Sequence, residues 1–267
     1  MIANLICIMT TTRCTLNCKL CIAGVPLFKE KGYVKDASVQ EINASFDALF
    51  NIYDYVEHVD FSGGEPLLWG QDKIIDCIKH LELFIGKIGI IRITTNGTLL
   101  PSPALIDLIK ATPLNVAFIL DNYGDLSSRI CEVKALLDLN GVAYREKIYF
   151  GDEQHCEGWV DALGDFLEKN YSESEGKQVY ERCLQAHFAF LTIWDGKLYP
   201  CGPTLTLELC KGITDASCVL PLTDTEVTLA EKVAIAKQFG SIAPIACAYC
   251  NGFDPENAVR FPAGEQA

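Results

Sequence analysis

The stretch LICIMTTTRCTLNCKLC, residues 5–21, joins a short apolar run to three closely spaced cysteines. The composition of residues 5–11 is typical of a buried strand, so Cys14, Cys18 and Cys21 are predicted to lie on the loop that leaves it. Thiolates with three and then two residues between them can bind three corners of an iron–sulfur cube and leave the fourth iron without a protein ligand. A zinc site, which would need a fourth ligand, and simple packing are the alternatives.

The pattern of the following residues predicts repeated strand–helix units. Strand-like runs lie at 56–61, 88–94, 114–120 and 143–149, and segments with helical periodicity lie at 39–50, 72–83, 102–111, 127–140 and 158–170. Such alternation is typical of βαβ units with a parallel sheet. The units end near residue 170, short of the eight that close a barrel of about 250 residues. The sequence therefore predicts an α/β fold, a partial (β/α) TIM-like barrel of about five to six units.

A second, smaller module is predicted after residue 171. The segment from Ser172 to Gly176 has the composition of a solvated linker, and strand-like runs at 188–194 and 197–199 flank Asp195-Gly196, which is typical of a tight hairpin. A helix is predicted at 229–239. We therefore expect a core domain at 1–171 and a hairpin-plus-helix module at 172–267.

The composition of the chain excludes several classes of function. The 267 residues include 22 Lys and Arg against 35 Asp and Glu, a net charge of -13 that repels nucleic acid. No apolar run reaches the roughly 18 residues of a membrane span, and the start lacks the features of a signal peptide. We therefore expect a cytoplasmic protein whose 13 cysteines stay reduced and are available for metal or redox work.

Polar motifs follow the predicted strands. Ser62-Gly63-Gly64-Glu65-Pro66 follows the second strand, residues 94–98 (TTNGT) follow the third, and residues 121–124 (DNYG) follow the fourth. Parallel strands end at one edge of a sheet, so these motifs are predicted to converge at one mouth, where such folds place their chemistry. The two glycines are expected to let the main chain come close to a ligand.

The combination of CxxxCxxC after the first strand and GGEP after the second resembles the radical S-adenosylmethionine (SAM) superfamily. The resemblance implies a 4Fe–4S cluster on Cys14, Cys18 and Cys21 whose open iron is chelated by SAM, which is cleaved to a 5′-deoxyadenosyl radical that removes hydrogen from the substrate. It also implies cofactor contacts for Gly63, Gly64, Glu65, Pro66, Thr95, Asn96, Asp121, Arg129 and Leu20. Leu20 departs from the family, in which an aromatic residue usually stands before the third cysteine.

A second group of cysteines, Cys183, Cys201, Cys247 and Cys250, resembles the auxiliary-cluster module called twitch, the short form of SPASM. The resemblance implies a second 4Fe–4S cluster, ligated by four thiolates and suited to accept electrons. Zinc fits four cysteines equally well by count. Cys210 and Cys218 lie between these ligands in sequence, and each is a candidate ligand or hydrogen donor.

The interpretation is a radical SAM oxidoreductase, of dehydrogenase or epimerase type, that uses the auxiliary cluster as electron acceptor. Peptide-modifying members of the superfamily that the chain resembles often begin with a leader-binding domain, and with 13 residues before Cys14 we expect a small hydroxylated or amino substrate instead. The alternatives are a peptide-modifying maturase or epimerase with a cysteine hydrogen donor, and a non-enzymatic iron–sulfur or zinc module. The resemblance implies a reducing partner such as flavodoxin or ferredoxin.

Overall fold

The computed structural model describes residues 1–152, 154–188 and 190–267. In the first part of the chain the strands are β1 (Ile2–Met9), β2 (Tyr55–Ser62), β3 (Ile88–Thr95), β4 (Val116–Asn122) and β5 (Tyr144–Ile148). The helices are α1 (Val25–Glu30), α2 (Val39–Leu49), α3 (Pro66–Trp69), α4 (Gln71–Leu81), α5 (Pro103–Ala111) and α6 (Ile130–Asn140). Strand and helix alternate as predicted, and each of these five strands overlaps the run that predicted it.

The second part of the chain has shorter elements. They are β6 (Trp159–Val160), α7 (Glu173–Arg182), α8 (Leu184–Phe188), β7 (Phe190–Trp194), β8 (Lys197–Tyr199), α9 (Gly202–Lys211), β9 (Leu220–Pro221), α10 (Leu229–Ala236) and β10 (Arg260–Phe261). Short 3-10 turns occupy Glu82–Phe84, Gly124–Leu126, His155–Glu157 and Ile245–Ala248. In the part of the chain described, no helix is both long and apolar enough to cross a membrane.

The main sheet has the strand order β5-β4-β3-β2-β1-β7-β8-β9. Strands β1 to β5 and β7 run parallel, whereas β8 and β9 are antiparallel to their neighbours. The five parallel strands with their crossover helices confirm the predicted α/β fold with a partial barrel. Strand β7 pairs directly with β1, so the sheet continues from the core into residues beyond 171.

The two faces of the parallel sheet differ in polarity. Ile8, Phe61 and Ile93 are paired across β1, β2 and β3 and are fully buried. Because side chains alternate along a strand, the preceding row points to the opposite face; it includes Asp60 and Arg92, which form an ion pair and are half-buried. The apolar face forms the core, and the opposite face is lined by charged side chains.

The predicted helix at 158–170 is wrong. Residues 159–160 form β6, which pairs with β10, and turns follow it. Gly158 and Gly164 have φ values of 105° and 43°, in the left-handed region that a helix does not use. The pairing partner lies about a hundred residues downstream, so local periodicity carries no sign of it.

The predicted linker at Ser172–Gly176 is also wrong. Ser172 is the N-cap of α7, and it forms a capping box with Glu175, so the polar composition marks a helix start. The hairpin is confirmed, with Asp195 and Gly196 at φ values of 53° and 73° between β7 and β8. The start of its first strand differs from the prediction, because Phe188 is the last residue of α8.

Candidate active site

The GGEP loop after β2 lies directly against the backbone that leads from β1 to the three cysteines. The Gly64 N–H donates to the Thr11 carbonyl at 2.8 Å, and the Glu65 N–H donates to the Arg13 carbonyl at 2.9 Å. A Cβ atom on Gly64 would lie 1.8 Å from the Arg13 carbonyl oxygen, far inside van der Waals contact. Gly64 is therefore required by the approach of two backbones, whereas the sequence led us to expect an approach to a ligand.

Glu65 joins the GGEP loop to the end of β3. It is 1% exposed. One carboxylate oxygen accepts the Leu67 N–H at 3.1 Å and the Thr95 hydroxyl at 2.9 Å, and the other accepts the Asn96 N–H at 2.9 Å. Burial raises the pKa of this carboxyl to about 7 in spite of these donors. Pro66 follows as the buried first residue of α3.

Asn96 connects the end of β3 to the cysteine loop. Its amide nitrogen donates to the Thr15 hydroxyl at 3.0 Å and to the Cys14 sulfur at 3.5 Å, and its amide oxygen accepts the Thr98 hydroxyl at 2.6 Å. Three of the predicted motifs, CxxxCxxC, GGEP and TTNGT, are therefore connected by hydrogen bonds at one mouth of the sheet.

Each of the three loop cysteines has N–H donors nearby. Cys14 accepts from the Leu16 N–H at 3.4 Å, and Cys18 accepts from the Gln266 side chain at 3.3 Å. Backbone N–H groups just before and at the start of α1 face Cys21 and oppose the effect of burial, which raises its pKa. Donors of this kind stabilise thiolates, which are the form that binds iron.

The donor set fits an iron–sulfur cluster. Among residues 1–152, 154–188 and 190–267, no group of three or more His, Cys, Asp or Glu side chains is close enough to share one metal ion. A cube places iron and sulfide between its ligands, so the thiolates of a cluster lie farther apart than ligands that share an ion. The loop thus offers the sulfur ligands that an iron–sulfur cluster requires, with N–H donors beside them.

Asp121 is the last residue but one of β4, at the same mouth. Its carboxylate lies 3.6 Å from the Lys147 ammonium group, and its Oδ1 atom is buried without a hydrogen-bond partner. Burial raises the pKa of this carboxyl to about 6, with a contribution from Asp60. Tyr123 follows, stacked on Tyr149 at 5.2 Å. An incompletely paired carboxylate beside an aromatic wall is a feature of a ligand-binding surface.

Two predicted cofactor contacts stand apart from this network. The Arg129 side chain is exposed and pairs with Glu132 at 2.7 Å, although its backbone N–H donates to the Gly97 carbonyl. Leu20 is half-buried on the turn between the second and third cysteines.

Gly63, the first glycine of the GGEP loop, has a φ of 109°, and a Cβ atom there would lie 3.0 Å from the Thr11 carbonyl oxygen.

The four cysteines of the second group line a single pocket. Cys183 follows α7, Cys201 is the N-cap of α9 after the hairpin, and Cys247 and Cys250 lie on and just after the 3-10 turn. Their sulfurs also have donors, since Cys250 accepts the Gly252 N–H at 3.2 Å and Cys183 accepts the Phe253 N–H at 3.4 Å. Four thiols converging on one pocket fit a fully ligated cluster.

This four-cysteine pocket neighbours the first cysteine loop. Ile22, the residue after Cys21, lines the pocket. Gly202, which opens α9 next to Cys201, packs against the Ile22 carbonyl. The residue after Cys21 is therefore part of the wall of the four-cysteine pocket.

Cys210 and Cys218 do not line the pocket. Cys210 is half-buried on α9, near Lys31 and Glu30. Cys218 is 1% exposed, and its thiol bonds to the carboxylate of Asp215, which also accepts the Ile245 N–H at 2.8 Å. The structure thus gives Cys218 a supporting position behind the 245–248 turn. Sequence reasoning missed Gln266, since no motif surrounds it.

A parallel half barrel with a CxxxCxxC loop bonded to a GGEP loop at one mouth defines an α/β protein built to hold a cofactor at that mouth. Residues 8–136, just under half of the 267 residues, match the family model described as the radical SAM superfamily, and this segment is a radical SAM domain. The match includes every predicted residue of the first site, from Cys14 to Arg129. No sequence among curated proteins matches the chain significantly.

Among solved structures, the chain is similar to native anSMEcpe with bound AdoMet and Cp18Cys peptide, with 16% identity, a TM-score of 0.43 and coverage of 55% of this chain and 42% of that chain. It is also similar to native anSMEcpe with bound AdoMet, with 13% identity, a TM-score of 0.43 and coverage of 90% and 83%. These identities and TM-scores are too low to support an argument about activity or substrate.

Proposed function

We propose that the protein is a radical SAM oxidoreductase that removes a hydrogen atom from a small hydroxylated or amino-bearing substrate and completes a two-electron oxidation. In this proposal the Cys14, Cys18 and Cys21 thiolates hold a 4Fe–4S cluster that binds SAM, and Cys183, Cys201, Cys247 and Cys250 hold an auxiliary one. When bound, the first cluster and SAM supply reductive cleavage of SAM to methionine and 5′-deoxyadenosine, the latter carrying the hydrogen taken from the substrate.

The observation that carries the proposal is the convergence of the four distant cysteines on one pocket beside Ile22. After hydrogen removal, the substrate loses a proton and its remaining unpaired electron, so an oxidation needs an electron acceptor close to the mouth. A fully ligated cluster in this pocket suits that role, because no iron is open to bind substrate. A reducing partner such as flavodoxin or ferredoxin would supply the electron that cleaves SAM.

The charged face of the half barrel supports a small polar substrate. Asp60 and Arg92 form one ion pair on this face, and Asp121 and Lys147 form another nearer the mouth. Paired carboxylates and cations can exchange partners with the hydroxyl, amino or carboxyl groups of a substrate. The chain's own residues would orient the substrate, and the Tyr123–Tyr149 stack would exclude water from one side.

The first experiment tests the two clusters without a substrate. Protein reconstituted anaerobically with iron and sulfide is expected to hold about eight irons per chain and, with dithionite and SAM, to release 5′-deoxyadenosine. Cys14→Ala is expected to abolish release. The double variant Cys247→Ala/Cys250→Ala is expected to lose about half of the iron and to keep SAM cleavage.

The matched control is Cys131→Ala, which removes an exposed cysteine on α6, outside both sites. It is expected to keep full iron and full SAM cleavage. Iron-replete wild-type protein that releases no 5′-deoxyadenosine would contradict the proposal, as would zinc in place of iron at the four-cysteine pocket. Solvent deuterium fixed at a substrate carbon would instead indicate the epimerase alternative.

A further inference from the structure

Residues 264–267, which we call the tail strand, pair with the middle of the first cysteine loop. The Lys19 N–H donates to the Glu265 carbonyl at 2.8 Å, and the Ala267 N–H donates to the Asn17 carbonyl at 2.7 Å. These two bonds form an antiparallel bridge between Cys18 and Gln266. The loop is thus held from outside by a segment almost 250 residues downstream.

The side chain of Gln266 makes three hydrogen bonds at this bridge. Its amide oxygen accepts the Asn17 N–H at 2.7 Å, and its amide nitrogen donates to the Cys18 sulfur at 3.3 Å and to the Gly264 carbonyl at 2.6 Å. The Asn17 N–H can only donate and the Gly264 carbonyl can only accept. These two groups therefore determine which end of the Gln266 amide is the nitrogen. The nitrogen therefore faces the sulfur.

The origin of this donor distinguishes it from the other donors at the loop. The donors to Cys14 come from Leu16 and Asn96, both within the segment that matches the family model. Gln266 lies outside that segment. The tail strand is also held on its other side, because Gly264 packs on the ring of Tyr123.

We propose that Gln266 is a positioning residue for the first cluster: its amide N–H donates to the Cys18 thiolate and makes the cluster easier to reduce. The inference rests on one part of the proposed function, namely that Cys18 is a ligand of the first cluster. It does not depend on the substrate. Reduction adds negative charge to the cluster and its thiolates, and an N–H that points at a ligating sulfur stabilises that charge. Loss of the donor should therefore lower the reduction potential.

The test is a redox titration of the first cluster in the reconstituted full chain, followed by electron paramagnetic resonance. The signal of the first cluster is identified as the one that changes when SAM is added. Gln266→Met removes the donor and keeps the length of the side chain. Gln266→Glu keeps an oxygen for the Asn17 N–H and replaces the donor by a carboxylate.

At a fixed potential, we expect the ratio of reduced to oxidised cluster to fall about threefold or more in Gln266→Met. A threefold fall corresponds to a reduction potential that is lower by about 28 mV, at 59 mV per tenfold change in the ratio. Gln266→Glu should show a larger fall, since it also adds a negative charge. The control is Glu265→Gln, which breaks the exposed Lys19–Glu265 pair on the same tail strand and should leave the ratio within about 1.5-fold of wild type.

Iron-replete Gln266→Met with the wild-type potential would overturn the proposal, and so would equal shifts in Gln266→Met and Glu265→Gln. If both Gln266 variants lose the iron, the role of the side chain is to keep the cysteine loop folded. It then does not tune the reduction potential, and the proposal fails. Absence of any SAM-responsive signal in the wild-type protein would instead be a failure of the proposed function.

Discussion

Two carboxyl groups at the mouth, the buried Glu65 and the half-buried Asp121, differ in the number of hydrogen bonds that they accept from the protein. Glu65 accepts three hydrogen bonds from the protein, whereas Asp121 Oδ1 accepts no hydrogen bond and has only the ion pair with the Lys147 ammonium group at 3.6 Å. Burial raises both pKa values, that of Glu65 to about 7 and that of Asp121 to about 6. Glu65 thus serves mainly to join two loops, and Asp121 is left with the capacity to bind a further group.

The raised pKa of Asp121 predicts that the free energy of unfolding depends on pH. The folded protein binds the Asp121 proton more tightly than the unfolded chain does, because the pKa is about 6 in the fold against an ordinary value of 3.8. This contribution to stability is complete below the ordinary pKa and is lost as pH rises through about 6. As the pH rises from 4 to 7, the free energy of unfolding of Asp121→Asn relative to that of the wild type should therefore increase by about 1–3 kcal/mol.

Urea unfolding of the apoprotein at several pH values would measure this difference. Asp107→Asn, which changes an exposed carboxylate on α5, serves as the control and should show a difference from wild type that does not vary with pH. The prediction is wrong if the Asp121→Asn difference is also constant between pH 4 and pH 7.

At the scale of elements, α7 connects the two halves of the four-cysteine pocket. Its last residue precedes Cys183, and near its start Gly176 packs against the backbone of Ala248, next to Cys247. The capping box of Ser172 and Glu175 begins this helix. A weaker helix start would therefore loosen the relative position of cysteines from two segments.

Ser172→Ala should destabilise the apoprotein by about 1 kcal/mol, as is usual when an N-cap is lost, and should speed the loss of iron from the auxiliary site to a chelator. Thr228→Ala provides a matched control, because Thr228 forms the same capping box at the start of α10, a helix that no cysteine follows directly. It should cost a similar free energy of unfolding and leave the release of iron unchanged. Equal iron release in the two variants would contradict the role given to α7.

At the scale of the whole molecule, the sheet continues across the domain boundary that we expect near residue 171. Leu5 and Ile8 of β1 pair with Phe190 and Ile193 of β7. The tail strand adds a second connection, to residues 17–19. The β6–β10 pairing also crosses the boundary, so residues on either side of it are joined by backbone hydrogen bonds at several places.

This continuity predicts that the chain unfolds in one transition. Far-ultraviolet circular dichroism and tryptophan fluorescence should give the same urea midpoint, because Trp69 and Trp194 lie on opposite sides of the boundary. Ile193→Ala truncates a side chain that is 1% exposed and should lower the free energy of unfolding by about 2–5 kcal/mol. Both urea midpoints should therefore fall together. Two separate transitions, or a stably folded fragment of residues 1–171, would show that the prediction is wrong.

Much of the fold could be predicted because its signals are local. An apolar run such as residues 56–61 predicts a buried strand, and Asp195-Gly196 predicts the hairpin, since both depend on neighbouring residues alone. The candidate site followed from motif spacing combined with the rule that parallel strands end at one edge. In the structure, Cys14, Glu65 and Asn96 are joined there by hydrogen bonds.

The rest depends on contacts between distant residues or on patterns with two meanings. The Ser172-to-Glu175 segment has the composition of a linker and also the pattern of a capping box. Strand β6 exists only because β10 pairs with it. Gln266 reaches Cys18 across 248 residues, and no local pattern in the sequence indicates this contact.

The same separation has a consequence for biosynthesis. At about 5–20 residues per second, a ribosome needs about 12 s or more to add the 248 residues between Cys18 and Gln266. For most of that time the cysteine loop is outside the exit tunnel without the strand that later pairs with it. Metal loading that depends on the finished loop is therefore expected after translation, and the nascent thiols need an anaerobic or reducing environment until then.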